Sequence, residues 1–307
     1  MATSTPIVGL SKPDYSDPAD VTVINSNFDK IDASIGQRSR VPNLVINGNF
    51  MPGYIVNQRG ESSYTGAKYG VDMWKGQTDL TTISVSADGL SVYNGGTSGW
   101  VMATQKFPSH IYDAYYNSTL TIAACLSDGT VATKSGIPSG GSFEAYLSST
   151  VRAQLYVSDD NGYIAVRLTN GGPGSTATFR WVAVYPGAFD VNTLPDYQPR
   201  SYVETFKECL RYVKAITNDR LFGLFSSTIA YLDVPTDVPM AAKPTITVST
   251  LGAVKANGIS ADVTALKVTD IRPWTIPITA TYASTDNINN HVGVLHSAKF
   301  VLSCEPT

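Results

Sequence analysis

The sequence predicts a mainly β protein: an N-terminal helix, a jelly-roll β-sandwich, a short helix and a small C-terminal β domain. Three observations lead there. Short runs of alternating apolar and polar residues recur, separated by X-Gly pairs that supply the positive φ angles of tight hairpins. Only two stretches of the 307 residues carry a helical period, one near residue 28 and one near residue 206. Charged residues are 15% of the chain, so its polar surface must come largely from Ser, Thr, Asn, Gln and Tyr, which suits strands.

Residues 1–18 are polar and carry Pro6, Pro13 and Pro18, which reads as an extended segment. Val21, Ile24, Phe28, Ile31 and Ile35 then recur at spacings of three and four, the a/d seam of a short coiled coil. Asp20 is placed to cap this helix and Gly36 to end it. Branched residues at both seam positions favour a homotrimer. An amphipathic helix lying on its own domain would give the same pattern.

The stretch Asn43 to Trp74 organises the next domain. Leu44-Val45-Ile46 is an apolar run ended by the turn pair Asn47-Gly48. Phe50 and Ile55 follow, then a polar loop, then Tyr69, Val71 and Trp74. This is expected to form the first strands of a sandwich. Hairpins are expected at Asp88-Gly89, Asp128-Gly129 and Asn161-Gly162. Arg152, Gln154 and Tyr156 alternate with Val151, Leu155 and Val157. Another strand is expected from Ala177 to Val184, with Trp181 in the core. About eight short strands indicate a sandwich or jelly roll.

Ser201-Tyr202-Val203-Glu204 has the form of a capping box, and Phe206, Cys209, Leu210 and Val213 make the apolar stripe behind it. Strand-like alternation resumes from Leu221, with Pro235, Pro239 and Pro244 marking edges and bends. The expected organisation is 1–41, N-terminal region with helix; 42–200, jelly roll; 201–216, connecting helix; and 217–307, small β domain.

Several motifs together resemble a known family. NLVINGNF, NQRG and YGVDMWKG, in that order, resemble the opening of a carbohydrate-binding-module-like jelly roll common in phage tail proteins. FRWVAVYPGAFDVNTLPDYQPRSYVETFKECLRYV resembles the ending of that domain. LSKPDYSDPADVTVINSNFDKIDASIG looks like an N-terminal particle-attachment region, and residues 222–248 with KFVLSCE resemble a C-terminal tip domain. The resemblance covers most of the chain. It implies a phage tail fibre or baseplate receptor-binding protein, a trimer in the virion that adheres to a bacterial surface polysaccharide. Partners would be that glycan and other tail proteins. A structural calcium is implied as an option, with no residue assigned to it.

Composition narrows the alternatives. A formal net charge of -3 argues against nucleic acid. Three cysteines without a CxxC argue against a disulfide framework or zinc site, and Cys125 and Cys209 sit in apolar segments. The N-terminus lacks the basic start and apolar core of a signal peptide, so synthesis in the bacterial cytoplasm without export is expected, and no run is long enough for membrane insertion. His110, His291 and His296 lack the spacing of a helical metal pair, and no nucleophile or phosphate-loop motif occurs. The expectation is a protein without catalytic residues. A glycan depolymerase and a structural tail connector are the alternatives.

Sugar recognition uses flat aromatic faces and planar polar groups. Trp100, Tyr115, Trp274 and Tyr282 are the candidate carbohydrate-binding residues. Tyr112, Tyr116, Asn287 and His291 lie beside them in sequence. Packing or a trimer contact is the competing role for each. Trp74 is expected in the core.

Overall fold

Each X-Gly pair turns the chain where a hairpin requires it. The left-handed angles at Gly89 (φ 130), Gly129 (φ 90) and Gly162 (φ 58) sit at the three expected reversals. The computed structural model describes residues 3–4, 10–12, 20–38, 41–97, 99–137, 140–217, 221–256, 258–283 and 291–306, and residues 3–4 and 32–38 by secondary structure alone. The described chain is mainly β, with several sheets and one small closed barrel.

Strands β1 (Thr3–Ser4) and β2 (Ser11–Lys12) pair with each other ahead of helix α1 (Val21–Arg38). Asp20 caps α1 by accepting from the Thr22 backbone N–H at 2.8 Å. Asn27 holds β2 against the helix through two bonds to Ser11. The seam residues Val21, Ile24 and Phe28 are exposed and Ile31 is half-buried; the Ile35 side chain lies outside the described residues.

The first β unit runs through β3 (Ser63–Thr65), β4 (Lys75–Gly76), β5 (Thr81–Ser86), β6 (Gly89–Asn94), β7 (Val101–Lys106), helix α2 (Ser109–Tyr115), β8 (Leu120–Leu126), β9 (Val131–Gly136), β10 (Gly141–Tyr146), β11 (Val151–Ser158), β12 (Tyr163–Asn170) and β13 (Thr176–Pro186). One sheet has the order β10-β11-β12-β7-β4 and the other β3-β5-β6-β13-β8-β9. Their inward side chains, among them Leu155, Val166 and Leu168 from one and Ile122, Phe179 and Val184 from the other, form a single buried cluster.

The run Leu44-Val45-Ile46 is buried as expected but is not a regular strand. It lies along β13, with bonds from Leu44 N–H to Val184 O (2.9 Å) and from Val182 N–H to Gly48 O (2.9 Å). On its other side the buried Gln105 side chain of β7 takes the place of a strand. Its Oε1 accepts from Ile46 N–H at 2.9 Å, and its Nε2 donates to Ile46 O. One side-chain amide carries the donor and the acceptor of a backbone peptide, so it satisfies both groups. Asn47 then turns at φ 53 and binds Val56 and Asp72 through its side chain, while its carbonyl accepts from the Trp74 indole N–H at 3.0 Å. Trp74 is fully buried against Phe50.

Two expectations are corrected. Trp181 is not a core residue: a bulge between Phe179 and Trp181 turns it outward, where it stacks on Tyr197 at 4.5 Å. The helix expected through residue 216 is shorter. Helix α3 (Tyr202–Leu210) carries the capping box of Ser201 and Glu204 but stops before Val213. Val213 instead opens β14 (Val213–Thr217), because its pairing with β22 (Lys299–Ser303) satisfies the backbone groups that a continued helix would have used.

The remaining strands are β15 (Leu221–Phe225), β16 (Ile229–Pro235), β17 (Thr245–Thr250), β18 (Ala253–Ala256), β19 (Ile259–Val268), β20 (Thr275–Tyr282) and β21 (Val292–His296). Six close a barrel in the order β15-β16-β20-β19-β18-β21, and β14-β22-β17 form a separate sheet beside it. Alternation along β22 links two cores. Phe300 and Leu302 join the barrel cluster, while Val301 packs on a smaller cluster of Ile46, Val56, Met73, Cys209, Tyr212 and Val213.

That smaller cluster is bordered by a buried charged group. Arg59 donates to Glu305 through both terminal nitrogens and lies 3.6 Å from Asp72. The Asp72 and Glu305 side chains are fully inaccessible. Gln58 binds Asp72 and also the Val213 carbonyl, and Met73, at φ 71, points its N–H at Glu305 at 2.8 Å. Two inaccessible carboxylates share one guanidinium. Burial therefore pushes Asp72 up to about 6, against the pull of Arg59 and Gln58. The folded protein binds this proton more tightly than the unfolded chain does. Stability from this group is present below pH 4 and is lost as pH rises through about 6. The expected loss is at most about 3 kcal/mol. Urea unfolding at intervals between pH 4 and 7 should show that decline, and Asp72→Asn should flatten it; an unchanged slope in the variant would assign the decline to another group.

Candidate functional site

Alternation fixes which side chains leave the core of the five-stranded sheet. Ala153, Leu155 and Val157 of β11 point inward, so Arg152, Gln154 and Tyr156 stand on the outer face. In β12, Ile164, Val166 and Leu168 point inward, leaving Tyr163 and Arg167 outside. Strand pairing then lays these residues in rows. One row is Tyr146, Arg152, Thr169 and Met102. The next is Glu144, Gln154, Arg167, Thr104 and Lys75, across all five strands. A third is Ser142, Tyr156, Ala165 and Lys106.

The rows are cross-linked. Glu144 accepts from Arg152 Nη1 at 2.9 Å, from Gln154 Nε2 at 2.8 Å and from the Tyr146 hydroxyl. Gln154 also donates to Ser142 at 3.0 Å. Cations lie over aromatic rings: Arg152 is 4.0 Å from the Trp100 centroid, Arg167 is 3.5 Å from Tyr156, and Lys106 is 4.0 Å from Tyr163. The Nε atoms of both arginines are buried without a hydrogen-bond partner. These are planar polar groups on a fixed lattice, the kind of surface that hydroxyl and oxyanion recognition uses.

No family model, curated protein or solved structure matches this chain. Its candidate site therefore rests on its own geometry.

Of the four expected binding residues, only Trp100 reaches this face. It is 37% exposed, and its ring is crowded: a Cβ on Gly171 would sit 2.7 Å from it. With Arg152 at the same ring, little flat surface is left for a sugar. Tyr115 belongs to helix α2 rather than a loop and packs half-buried on the core, as do Tyr112 and Tyr116. Trp274 is 61% exposed, far along the chain at the start of β20. Tyr282 is not available to a ligand. It is 3% exposed inside the barrel, and its hydroxyl donates to Ser226 O at 2.6 Å. His291 is exposed, and Asn287 lies outside the described residues.

Sequence reasoning missed Glu144, Arg152, Gln154, Tyr156 and Arg167 as a site. The signal was the polar half of the β11 alternation, but the neighbours of β11 are not written in it.

Other features offer less chemistry. A cleft of about 350 Å³ lies between Pro42, Asn43, Tyr185 and Pro199, but Arg200 there is already engaged by Glu208 and the Asn43 carbonyl. Among the described residues, no group of three or more His, Cys, Asp or Glu side chains could hold a metal ion. The acidic turn Asp159-Asp160-Asn161-Gly162 closes the β11–β12 hairpin, with Asn161 donating to Ser158 at 2.9 Å.

Burial separates the two barrel aromatics by a measurement. Tyr282→Ala should lower unfolding free energy by about 3–5 kcal/mol, as large-to-small core changes do. Trp274→Ala should stay within about 0.5 kcal/mol of the parent. Chemical denaturation of both variants tests this, and equal effects would contradict the burial pattern.

Proposed function

We propose that this chain is a phage tail-fibre or baseplate receptor-binding protein that adheres, without catalysis, to a bacterial surface glycan. The observation that carries this reading is the lattice on the five-stranded sheet, where Glu144, Gln154 and Arg167 share one row, Arg152 and Tyr156 stand in the rows on either side, and Trp100 lies under Arg152. The two sheets packed on one core are consistent with the jelly-roll sandwich that the sequence motifs suggest, and one face of such a sheet offers a rigid, extended surface for a saccharide chain.

The exposed seam of α1 supports self-association, and three copies fit its branched residues. Three weak sites on one rigid particle would add avidity that a single site lacks. The rows carry a single carboxylate, Glu144, which is tied to Arg152, whereas glycoside hydrolysis takes two converging carboxyl groups. That favours adhesion over depolymerisation.

One feature favours a second reading for the barrel. Phe222, Leu224, Tyr231 and Val292 are exposed on three adjacent strands, with Leu224 paired to both Tyr231 and Val292. Such an apolar patch suits a protein contact, as a structural connector would need.

Labelled full-length protein should bind host cells, and periodate oxidation of the surface sugars should abolish binding. Tyr156→Ala should reduce binding at least tenfold without changing the thermal midpoint by more than a few degrees. Binding that survives oxidation would replace the glycan with a protein receptor. No binding to any cell, with capture of a co-produced tail protein, would move the connector reading to the front.

A further inference from the structure

The charges on the sheet face do not balance. Arg152 is neutralised by Glu144, whose two oxygens are fully used by Arg152, Gln154 and Tyr146. Arg167, Lys106 and Lys75 have no carboxylate within ion-pair distance among the described residues. They are near neighbours on the sheet. Arg167 and Lys75 flank Thr104 in one row, and Lys106 stands two residues further along β7. Burial, and then the charges of Lys75 and Arg167, lower the pKa of Lys106, so the three cations repel one another. The whole chain is acidic, with a formal net charge of -3, so this cationic strip runs against its average. Like charges on adjacent strands are destabilising, and an anion seated among them would relieve the repulsion.

The aromatic rings point the same way. A neutral pyranose would stack its apolar face on an open ring. Here Tyr156 is covered by Arg167, Tyr163 by Lys106 and Trp100 by Arg152. Tyr146 is the strongly exposed ring of these rows, and its hydroxyl is held by Glu144. Among the described residues, Arg167 makes one long bond, 3.4 Å from Nη1 to Gln154 Oε1, and its buried Nε has no partner. A planar fork held flat by a ring matches a carboxylate better than it matches a hydroxyl.

We infer that this face takes an acidic saccharide, with a sugar carboxylate seated between Arg167 and Lys106 and neighbouring hydroxyls bound by Ser142 and Thr104. The inference rests on the glycan-binding reading above and specifies its ligand class. A hexuronate oligomer such as tetragalacturonate is a suitable probe. The tetrasaccharide with its carboxyls reduced to alcohols is the neutral control, and a poly(glycerol phosphate) chain is the phosphate control.

Calorimetric titration of the full-length protein should show the uronate binding at least tenfold more tightly than the reduced tetrasaccharide. Raising salt from 0.1 to 0.5 M should weaken it severalfold. Arg167→Gln and Lys106→Gln should each cost about tenfold in uronate affinity, while Lys134→Gln, on the other sheet, should cost nothing. Chemical shifts of the core methyl groups would report that the variants remain folded. Equal binding of uronate and reduced tetrasaccharide would overturn the inference and leave glycan adhesion standing. Tighter binding of the phosphate chain would overturn the carboxylate assignment. Cell binding lost on periodate treatment, with no response to any of the three probes, would also overturn it.

Discussion

The contact between Arg59, Asp72 and Glu305 is the constraint on which the arrangement of the two β units depends. Arg59 and Asp72 come from the loop that organises the first unit, and Glu305 follows the last strand of the second. Their side chains are removed from water, so each must find its partner within the group. Gln58, the Met73 N–H and the Tyr69 hydroxyl, which donates to Pro306 O, complete the joint. Beside it, the Ile46, Met73, Cys209 and Val213 cluster supplies apolar contact. Buried ions are a costly way to join two bodies, but they set one geometry: sliding either unit would leave a charge unpaired in a dry place.

A different balance governs the sheet face. There Arg167 and Lys106 have no carboxylate partner among the described residues; they are laid over tyrosine rings. Ring quadrupoles hold the charges in fixed positions without neutralising them. The joint and the face thus use arginine in opposite ways. Arg59 is spent on internal acids, whereas Arg167 has no carboxylate partner among the described residues and makes one long bond to Gln154. The same residue type is structural in one place and available for recognition in the other.

What the sequence made legible was local. The hairpin turns at Gly89, Gly129 and Gly162, the capping box at Ser201 and the buried Trp74 were readable because each is decided by residues within a few positions. The failures involve distance along the chain. Gln105 stands in for a strand beside Ile46, 59 residues away, and no period announces it. Trp181 faced outward because a single inserted residue broke the alternation. Tyr282 was a candidate binding aromatic by its nearness to Trp274 in sequence, yet barrel closure placed it inside. The polar side of β11 was visible as a pattern, but Glu144 and Arg167 become its neighbours only through strand pairing.

The chain enters the first β unit at Asn43 and leaves it at Arg200, and the Arg200 guanidinium grips the Asn43 carbonyl directly. Entrance and exit are therefore one place. The two chain connections of this unit leave it side by side, so the outer face of the five-stranded sheet is free of either one.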